Sequence, residues 1–285
     1  MSEPNKNNAL VGIVHPGQMG VSLGSALVQT GHQVLWASEN RSPESFERAQ
    51  AAKLQDRSTL GELSSHCSVI LSVCPPDQAV NVARSVSDTG YSGSYIDCNA
   101  VSPATAHAVQ SSFKPGQVNF VDGGIIGPPA KQSGTTRLYL SGDNATDVAA
   151  LFDDSIVDAR VVGTQAGAAS ALKMAYAGWT KGSAALLMNQ FALAKQQGVD
   201  DALMQEWALS IPGLSDRLAQ AASGNAPKAW RFVGEMNEIA DTLEQAGLPR
   251  QWFEGAAENY ARLAGFKNQH GVDLQSVVDS LLSKD

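Results

Sequence analysis

Residues 10–32 read "LVGIVHPGQMGVSLGSALVQTGH", and this stretch decides the fold. A short apolar run up to Val14 indicates a buried strand, and Gly17 and Gly20 follow it closely. Apolar residues then recur at helical spacing until Gly31, which suits a helix C-terminal cap. The stretch therefore predicts a strand, a glycine-containing turn and a helix, which together begin a parallel βαβ unit.

A histidine stands where such a turn usually carries its first glycine. Because Pro16 disfavours the helical conformation for the residue before it, we expect His15 to extend the strand. Pro16 and Gly17 suit the two central positions of a type II turn, since proline fixes the first φ and glycine permits a positive second φ. The sharp bend is therefore predicted one residue later than usual.

The same turn has the features of an anion site. Gly17 would let the backbone approach a pyrophosphate, and the amides at the start of the helix would point at it. Gly20 would let the helix pack close to the strand. We therefore predict a dinucleotide site, with an ordinary tight turn as the alternative, built from His15, Pro16, Gly17, Gln18, Met19 and Gly20.

Two halves of the chain have different periodicities. Up to residue 163, helical patterns alternate with the strand candidates "ALVGIV", "QVLWA", "SVILSV", "SYID", "VNFV" and "RLYLSG". Residues 166–198 then run without proline at helical spacing. We predict an α/β Rossmann-type doubly wound parallel sheet over residues 1–163. An all-α domain over residues 164–285 follows, entered through one long interdomain helix.

The composition limits which classes of partner the chain can bind. The chain has 20 Lys+Arg and 28 Asp+Glu, and the resulting net charge of -8 argues against nucleic acid or an anionic membrane as the main partner. No apolar run approaches the length of a membrane span, and residues 1–8 lack the features of a secretory signal. Three cysteines without metal spacing suit reduced thiols. We expect a cytoplasmic protein with a small-molecule substrate and no metal.

The end of the second strand indicates which nicotinamide cofactor is bound. In "WASENRS" the strand tip falls on Ser38, and hydroxyl, amide and guanidinium donors follow it. Such donors suit a ribose 2′-phosphate, so we expect NADP, held by Ser38, Asn40, Arg41 and Ser42. Glu39 would favour NAD if its carboxylate faced the ribose. A solvated surface charge is the alternative role for Arg41.

Four stretches in chain order carry a resemblance to a known family: "GIVHPGQMG", "SVCPPDQAV", "DCNAVSP" and "GAASALKMAYAG". Their order resembles the β-hydroxyacid dehydrogenase group, which includes the 6-phosphogluconate and 3-hydroxyisobutyrate dehydrogenases. "AWRFVGEMNEIADTLEQAGLP" looks like a branch with a different C-terminal helical domain and unassigned substrates. The resemblance implies NAD(P) binding, hydride transfer at a β-hydroxyacid and a homodimer built by the helical domain. It also implies that Val73, Cys74 and Pro75 contact the cofactor.

The chain departs from the family pattern near the substrate. Asn99 and Ala100 stand where relatives place hydroxyl side chains, and Ala177 replaces an asparagine one helical turn beyond the lysine. Where a Ser-Gly-Gly substrate loop is expected, the resemblance aligns a less polar segment. It implies that Gly124, Ile126 and Gly127 line the substrate.

Lys173 is the predicted proton-transfer group. Hydride transfer at an alcohol carbon needs a base that takes the hydroxyl proton and an acid that returns it. The helix around Lys173 is almost uncharged, which a merely solvated face does not explain. Tyr176 and Thr180 share its helical face, although both also suit packing. Asn99 is expected to orient the substrate or the nicotinamide, with a turn residue as the alternative.

Arg231 is a candidate for holding a substrate carboxylate. The default interpretation is a solvated ion ladder of Arg231 with Glu235 and Glu238, which share its helical face; the carboxylate role applies if Arg231 faces the cleft instead. The sequence thus predicts an NADP-dependent oxidoreductase acting on a small β-hydroxyacid or related alcohol or carbonyl compound. A second interpretation is an imine or carbonyl reductase, and the presence of Lys173 argues against it. A third interpretation is a non-catalytic NADP-binding sensor or assembly protein, which the departures from the family motifs favour.

Overall fold

A computed structural model describes residues 9–283, and residues 1–8, which we interpret from the sequence as a loose tail, lie outside them. The chain forms two compact units, Met1–Lys173 and Met174–Asp285. This division falls later than residue 163, the boundary expected from the sequence. The physical reason is that residues 167–170 bond to the sheet of the first unit, as described below.

The first unit is built on an eight-stranded sheet. Its strands are Leu10–Ile13 (β1), Gln33–Trp36 (β2), Gln55–Asp56 (β3), Val69–Ser72 (β4), Ser94–Asp97 (β5), Asn119–Ile126 (β6), Thr136–Ser141 (β7) and Val157–Gly163 (β8). Their order in the sheet is β3-β2-β1-β4-β5-β6-β7-β8. Neighbouring strands run parallel except β6 and β7, which are antiparallel.

The strand order confirms the predicted doubly wound sheet. β1 pairs with β2 on one side and with β4 on the other, so the order reverses at β1. At such a switch point the connections leave in opposite directions, and ligands collect outside the carboxyl ends of the strands. The turn after β1 therefore lies where this fold binds its ligand.

Helices of the first unit are Gln18–Gln29 (α1), Pro43–Ala51 (α2), Leu60–His66 (α3), Ala79–Asp88 (α4), Pro103–Gln110 (α5) and Ala145–Ala150 (α6). Two buried apolar clusters support the sheet. One joins Leu23 and Leu27 of α1 to Val148 of α6. The other joins Ala83 of α4 to Val109 of α5. Helices thus cover both faces, which buries the central parallel strands over most of their length.

One helical segment connects the units. Helix Ala168–Ala177 (α7) passes through a π-helical turn at Gly178–Gly182 into Ser183–Gln197 (α8), so the predicted long helix is present with one local widening. It ends at Gly198, whose φ of 70 makes a left-handed cap.

The second unit is all-α, as predicted. Its further helices are Asp200–Ser210 (α9), Leu214–Asn225 (α10), Ala229–Gln245 (α11), Gln251–Arg262 (α12) and Leu274–Leu282 (α13). Phe232 and Met236 of α11 are buried, and the Phe232 ring packs edge-on against the Tyr260 ring of α12, with 5.2 Å between the ring centroids. Over residues 9–283, no helix has the length and apolar character needed to cross a membrane.

Candidate functional site

The bend after β1 is made at Pro16. The Gly17 N–H donates to the His15 carbonyl at 2.9 Å, which closes a γ-type turn around Pro16. Gly17 has φ -66 and ψ 178 and is the N-cap residue of α1. The predicted type II turn, with positive φ at Gly17, is therefore wrong. An extended N-cap residue is what starts the helix directly after the strand.

The two glycines of the turn have different surroundings. A Cβ on Gly20 would lie 2.4 Å from the His15 carbonyl oxygen, so the predicted close packing of helix on strand is confirmed. A Cβ on Gly17 would meet nothing within 4 Å. The start of α1 also carries no acidic residue and no side-chain cap. Its N–H groups, at Gln18 and Met19, are thus available to an anion approaching Gly17.

Arg48 of α2 supports this turn, and sequence reasoning missed it. Its Nε donates to the Pro16 carbonyl at 3.2 Å, and its Nη2 donates to Ser45 Oγ at 2.9 Å. The contact joins residues 32 positions apart, so no local pattern announces it. Arg48 fixes the turn and adds a positive charge beside it.

The loop after β2 is held by the β3 region. The Ser38 N–H donates to Asp56 Oδ1 at 3.2 Å, and the Glu39 N–H donates to the Ser58 carbonyl at 2.8 Å. The Glu39 side chain is exposed, whereas Ser38 and Arg41 are half-buried. Hydroxyl and guanidinium groups are therefore placed inward of the carboxylate at this strand tip.

Asn40 and Ser42 complete the predicted group at this strand tip. Asn40 is exposed in the left-handed region, with φ 59, where asparagine is among the tolerated residues. Ser42 is exposed and is the N-cap residue of α2, which begins with Pro43. Both are neighbours of Arg41 in the sequence, and both have exposed side chains.

Three loops converge beside the turn. The charge of Arg41 acts on His15, and Arg41 also interacts with Cys74 of the loop after β4. Burial first, and then the Arg41 charge, lower the pKa of His15 from 6.5 to about 4. Burial first, and then the Asp97 charge, raise the pKa of the Cys74 thiol to about 12. At neutral pH Arg41 is thus the charged member of this group.

Asn99 has a positioning role at the ends of β4 and β5. Its Oδ1 accepts from the Cys74 N–H at 2.6 Å, and its Nδ2 donates to Ser72 Oγ at 3.5 Å and to Asp97 Oδ1. The side chain is 1% exposed. Asn99 therefore holds the loop of residues 73–75, and its amide atoms face the protein interior. Within that loop Val73 is half-buried and Pro75 exposed.

A buried carboxylate fixes the helix that carries Lys173. Asp122 of β6 is 0% exposed. Its Oδ2 accepts from the Gly167 N–H, the Ser170 N–H and Ser141 Oγ at 2.9 Å each, and its Oδ1 accepts from Ser170 Oγ at 2.5 Å. A carboxylate at a helix N-terminus also complements the helix dipole. Asp122, which sequence reasoning did not single out, therefore anchors α7 to the sheet.

The anchored helix brings Lys173 against β6. A Cβ on Gly124 would lie 2.8 Å from the Ala169 carbonyl oxygen and 3.0 Å from Lys173 Cβ, so only glycine permits this approach. Asp97, the last residue of β5, pairs with Asp122, so Gly124 extends beyond the end of β5. Two residues predicted separately, Gly124 and Lys173, thus meet at the carboxyl edge of the parallel sheet.

The segment after Gly124 returns towards α1. Ile126 is 5% exposed, and Gly127 has φ 120 with space for no side chain, because a Cβ would lie 2.1 Å from the Thr135 carbonyl oxygen. Further along, the Ala130 N–H donates to Ser22 Oγ of α1 at 3.0 Å. This loop is thus tied to the helix that starts after the turn at Pro16.

The remaining candidates belong to the second unit. Tyr176 is 45% exposed, and the Thr180 hydroxyl donates to the Tyr176 carbonyl at 3.1 Å. Arg231 is exposed, with its guanidinium 5.8 Å from the Trp230 ring centre. Glu235, expected in a solvated ladder with Arg231, instead pairs with Lys181 and is 13% exposed.

Comparisons with known proteins agree with this geometry. The profile of the NAD binding domain of 6-phosphogluconate dehydrogenase matches residues 9–154, just over half of the chain. A domain of unknown function (DUF1932) matches residues 194–263, within the helical unit. An uncharacterized 28.5 kDa protein from Methanothermus fervidus is 31% identical over 144 residues. These are 50% of this chain and 55% of that protein, so the chain spans about half the length of this curated relative.

Solved structures share the fold. The 3-hydroxyisobutyrate dehydrogenase of Mycobacterium tuberculosis, in a structure with L-serine, has a TM-score of 0.72 at 16% identity over 96% of this chain and 99% of that chain. A reductive aminase from Aspergillus terreus, in complex with NADPH4, cyclohexanone and allyl amine, has a TM-score of 0.57 at 14% identity over 96% of this chain and 99% of that chain. At these identities the likeness concerns the fold alone. The glycine turn at the switch point and the matched profile lead to one conclusion: this chain belongs to the family defined by the NAD binding domain of 6-phosphogluconate dehydrogenase.

Proposed function

We propose that this protein is an NADP-dependent oxidoreductase that interconverts a small β-hydroxyacid, or a related alcohol, and its carbonyl counterpart. The observation that carries the proposal is the contact of Lys173 with Gly124 at the carboxyl edge of the sheet. Ligands of doubly wound sheets gather at that edge. A lysine held there is well placed to exchange a proton with a bound substrate.

The turn after β1 fits a dinucleotide. The space in front of Gly17 accepts another group, and the free N-terminus of α1 faces it without a competing carboxylate. Arg48 holds the turn through the Pro16 carbonyl. Gly17, Gln18 and Met19 would bind the pyrophosphate through their N–H groups, as such helix starts do.

The loop after β2 favours NADP over NAD. Arg41 is half-buried, and its Nε is buried without a hydrogen-bond partner among the described residues. A buried donor without a partner carries a free-energy cost that a phosphate oxygen would remove. Glu39, the residue that would favour NAD, is exposed. Ser38, Asn40 and Ser42 supply further donors to the same phosphate.

Lys173 is the proposed general acid and base. The bound nicotinamide supplies the acceptor or donor of the hydride. During oxidation the Lys173 Nζ takes the proton of the substrate hydroxyl, and during reduction it returns that proton to the carbonyl oxygen. Asp122 and Gly124 act on this step by holding α7 against β6. Asn99 acts by holding the loop of residues 73–75 through Cys74.

Substrate class and assembly are proposed with the activity. Ile126 and Gly127 give the substrate loop a weakly polar wall, which suits a small substrate.

In the second unit an apolar groove of about 560 Å³ is lined by Trp179, Leu186 and Trp252. Trp179 is 76% and Trp252 69% exposed, and we propose that a second copy of the chain covers them in a homodimer. The free cysteines support a reducing, cytoplasmic setting.

The test is a comparison of two lysine variants. Purified protein is first screened with NADP and NADPH against β-hydroxyacids, aldehydes and imines. Lys173→Met should then lower kcat by about 10²- to 10⁴-fold, the usual contribution of general acid-base catalysis, and leave NADPH affinity within about twofold. Lys114→Met, at an exposed lysine, is the matched control and should keep wild-type rates.

The outcomes separate the readings made from the sequence. Undiminished kcat in Lys173→Met would show that the lysine moves no proton. Turnover of imines alone, with hydroxyacids inert, would favour an imine reductase. Tight NADPH binding with no turnover of any compound would favour a sensor or assembly protein.

A further inference from the structure

His15 leaves a buried nitrogen without a partner beside the proposed phosphate site. Its Nδ1 has no hydrogen-bond partner among the described residues, and neither has Arg41 Nε. The two side chains come from different strand ends, those of β1 and β2, and they interact electrostatically. Buried polar atoms are rarely left unpaired in native proteins without a functional reason. Two such atoms on adjacent loops point to a shared ligand.

The groups around His15 are cationic or neutral. Arg41 comes from the loop after β2, and Arg48 of α2 reaches the Pro16 carbonyl next to His15. Cys74, on the loop after β4, carries no charge at neutral pH, because burial raises the pKa of its thiol to about 12. Helix α1 contributes no acidic residue in its first turn. A dianionic group would therefore be the complementary ligand for this cluster.

We infer that His15 and Arg41 together bind the ribose 2′-phosphate of the cofactor, and that His15 takes up a proton from solvent as this phosphate binds. The inference rests on the proposed use of NADP. Neutral His15 can donate or accept one hydrogen bond at Nδ1, and protonated His15 only donates. A phosphate dianion accepts hydrogen bonds, so it favours the protonated ring.

The expected size of the effect follows from the charges. In the free protein, burial and Arg41 lower the pKa of His15 to about 4, so the ring is neutral at pH 6. An opposite charge within hydrogen-bonding reach raises the pKa of a base by about 1 to 3 units. A rise of about two units brings the pKa of His15 near 6. At pH 6 the binding of NADP should then add about half a proton.

The experiment is calorimetric titration of the full chain at pH 6 with NADP⁺ and with NAD⁺, each in two buffers of different ionisation enthalpy. The difference in heat between buffers gives the protons taken up per ligand. NAD⁺ is the matched ligand, since it lacks the 2′-phosphate. His15→Asn is the matched variant, because an amide retains a hydrogen bond and does not titrate. Subtracting its uptake removes the contribution of the phosphate's own ionisation.

We expect the wild type to take up about half a proton more per NADP⁺ than His15→Asn does, and to take up none with NAD⁺. Equal proton uptake by wild type and His15→Asn, with NADP⁺ bound more tightly than NAD⁺, would overturn the role of His15 and leave the proposed function standing. If His15→Asn fails to fold, His15→Gln takes its place, since its amide also retains a hydrogen bond and does not titrate. Absence of any preference for NADP⁺ would overturn both proposals.

Discussion

Gly17→Ala separates a cofactor role of the turn from a structural one. A Cβ at this position meets nothing within 4 Å, and the φ of -66 is open to any residue. The free energy of unfolding should therefore change by less than about 1 kcal/mol, the range of glycine-to-alanine changes at compatible positions. The added methyl group would occupy the space through which we propose that the pyrophosphate approaches. Affinity for NADPH should fall at least tenfold, about 1.4 kcal/mol.

Gly20→Ala is the matched control. Its Cβ would lie 2.4 Å from the His15 carbonyl oxygen, so α1 must move away from β1. Such overpacking costs about 1 to 3 kcal/mol, which urea unfolding measures directly. Nicotinamide fluorescence gives the affinity of each variant for NADPH. If Gly17→Ala binds NADPH as tightly as the wild type, the pyrophosphate does not approach Gly17 and the reasoning fails.

Three further predictions concern the anchor, the imidazole and the assembly. Asp122→Ala removes the acceptor of two buried N–H groups and leaves them without a partner, so urea unfolding should show a loss of about 3 kcal/mol; a loss below about 1 kcal/mol would contradict the anchoring role. The pKa of His15 is about 4 in the folded protein, against 6.5 for an unperturbed histidine. Between pH 6.5 and pH 4 the unfolded chain therefore binds more protons than the folded protein. The contribution of His15 to the free energy of unfolding is complete above about pH 6.5, and this free energy should fall by about 3 kcal/mol as the pH is lowered to 4. His15→Asn should lack that fall, and an identical pH profile in the variant would refute it. Trp252→Glu places a charge in the exposed apolar groove, so light scattering should report a monomer; a dimer as stable as the wild type would mean that another surface makes it.

The central strands of the sheet were predictable because they carry apolar runs. β1, β2, β4 and β5 are buried over most of their length, which is the pattern that sequence periodicity detects. Two strands were missed at opposite edges of the sheet. β3 is two exposed residues long, and β8 is exposed along much of its length, so neither shows a buried period.

The site was predictable only in its local parts. The close packing at Gly20 followed from the spacing of glycines in the turn. The predicted conformation of Gly17 was wrong, because its role as the N-cap residue of α1 outweighs the preference of a Pro-Gly pair for a type II turn. The bond from Arg48 to Pro16 spans 32 residues. The hydrogen bonds that Asp122 accepts from the Gly167 and Ser170 N–H groups join residues 45 and 48 positions apart. Contacts of that range depend on the assembled sheet, and no local sequence pattern encodes them.

The measurement that tests the central claim most directly is a fluorescence titration of the purified wild type and of Arg41→Ala with NADPH and NADH. The account predicts that the wild type binds NADPH more tightly than NADH. Charge-assisted hydrogen bonds contribute about 1.5 to 3 kcal/mol, so Arg41→Ala should weaken NADPH at least tenfold and leave NADH within about twofold. Equal losses for both nucleotides would contradict the 2′-phosphate assignment. Binding of neither nucleotide by the wild type would contradict the cofactor site itself.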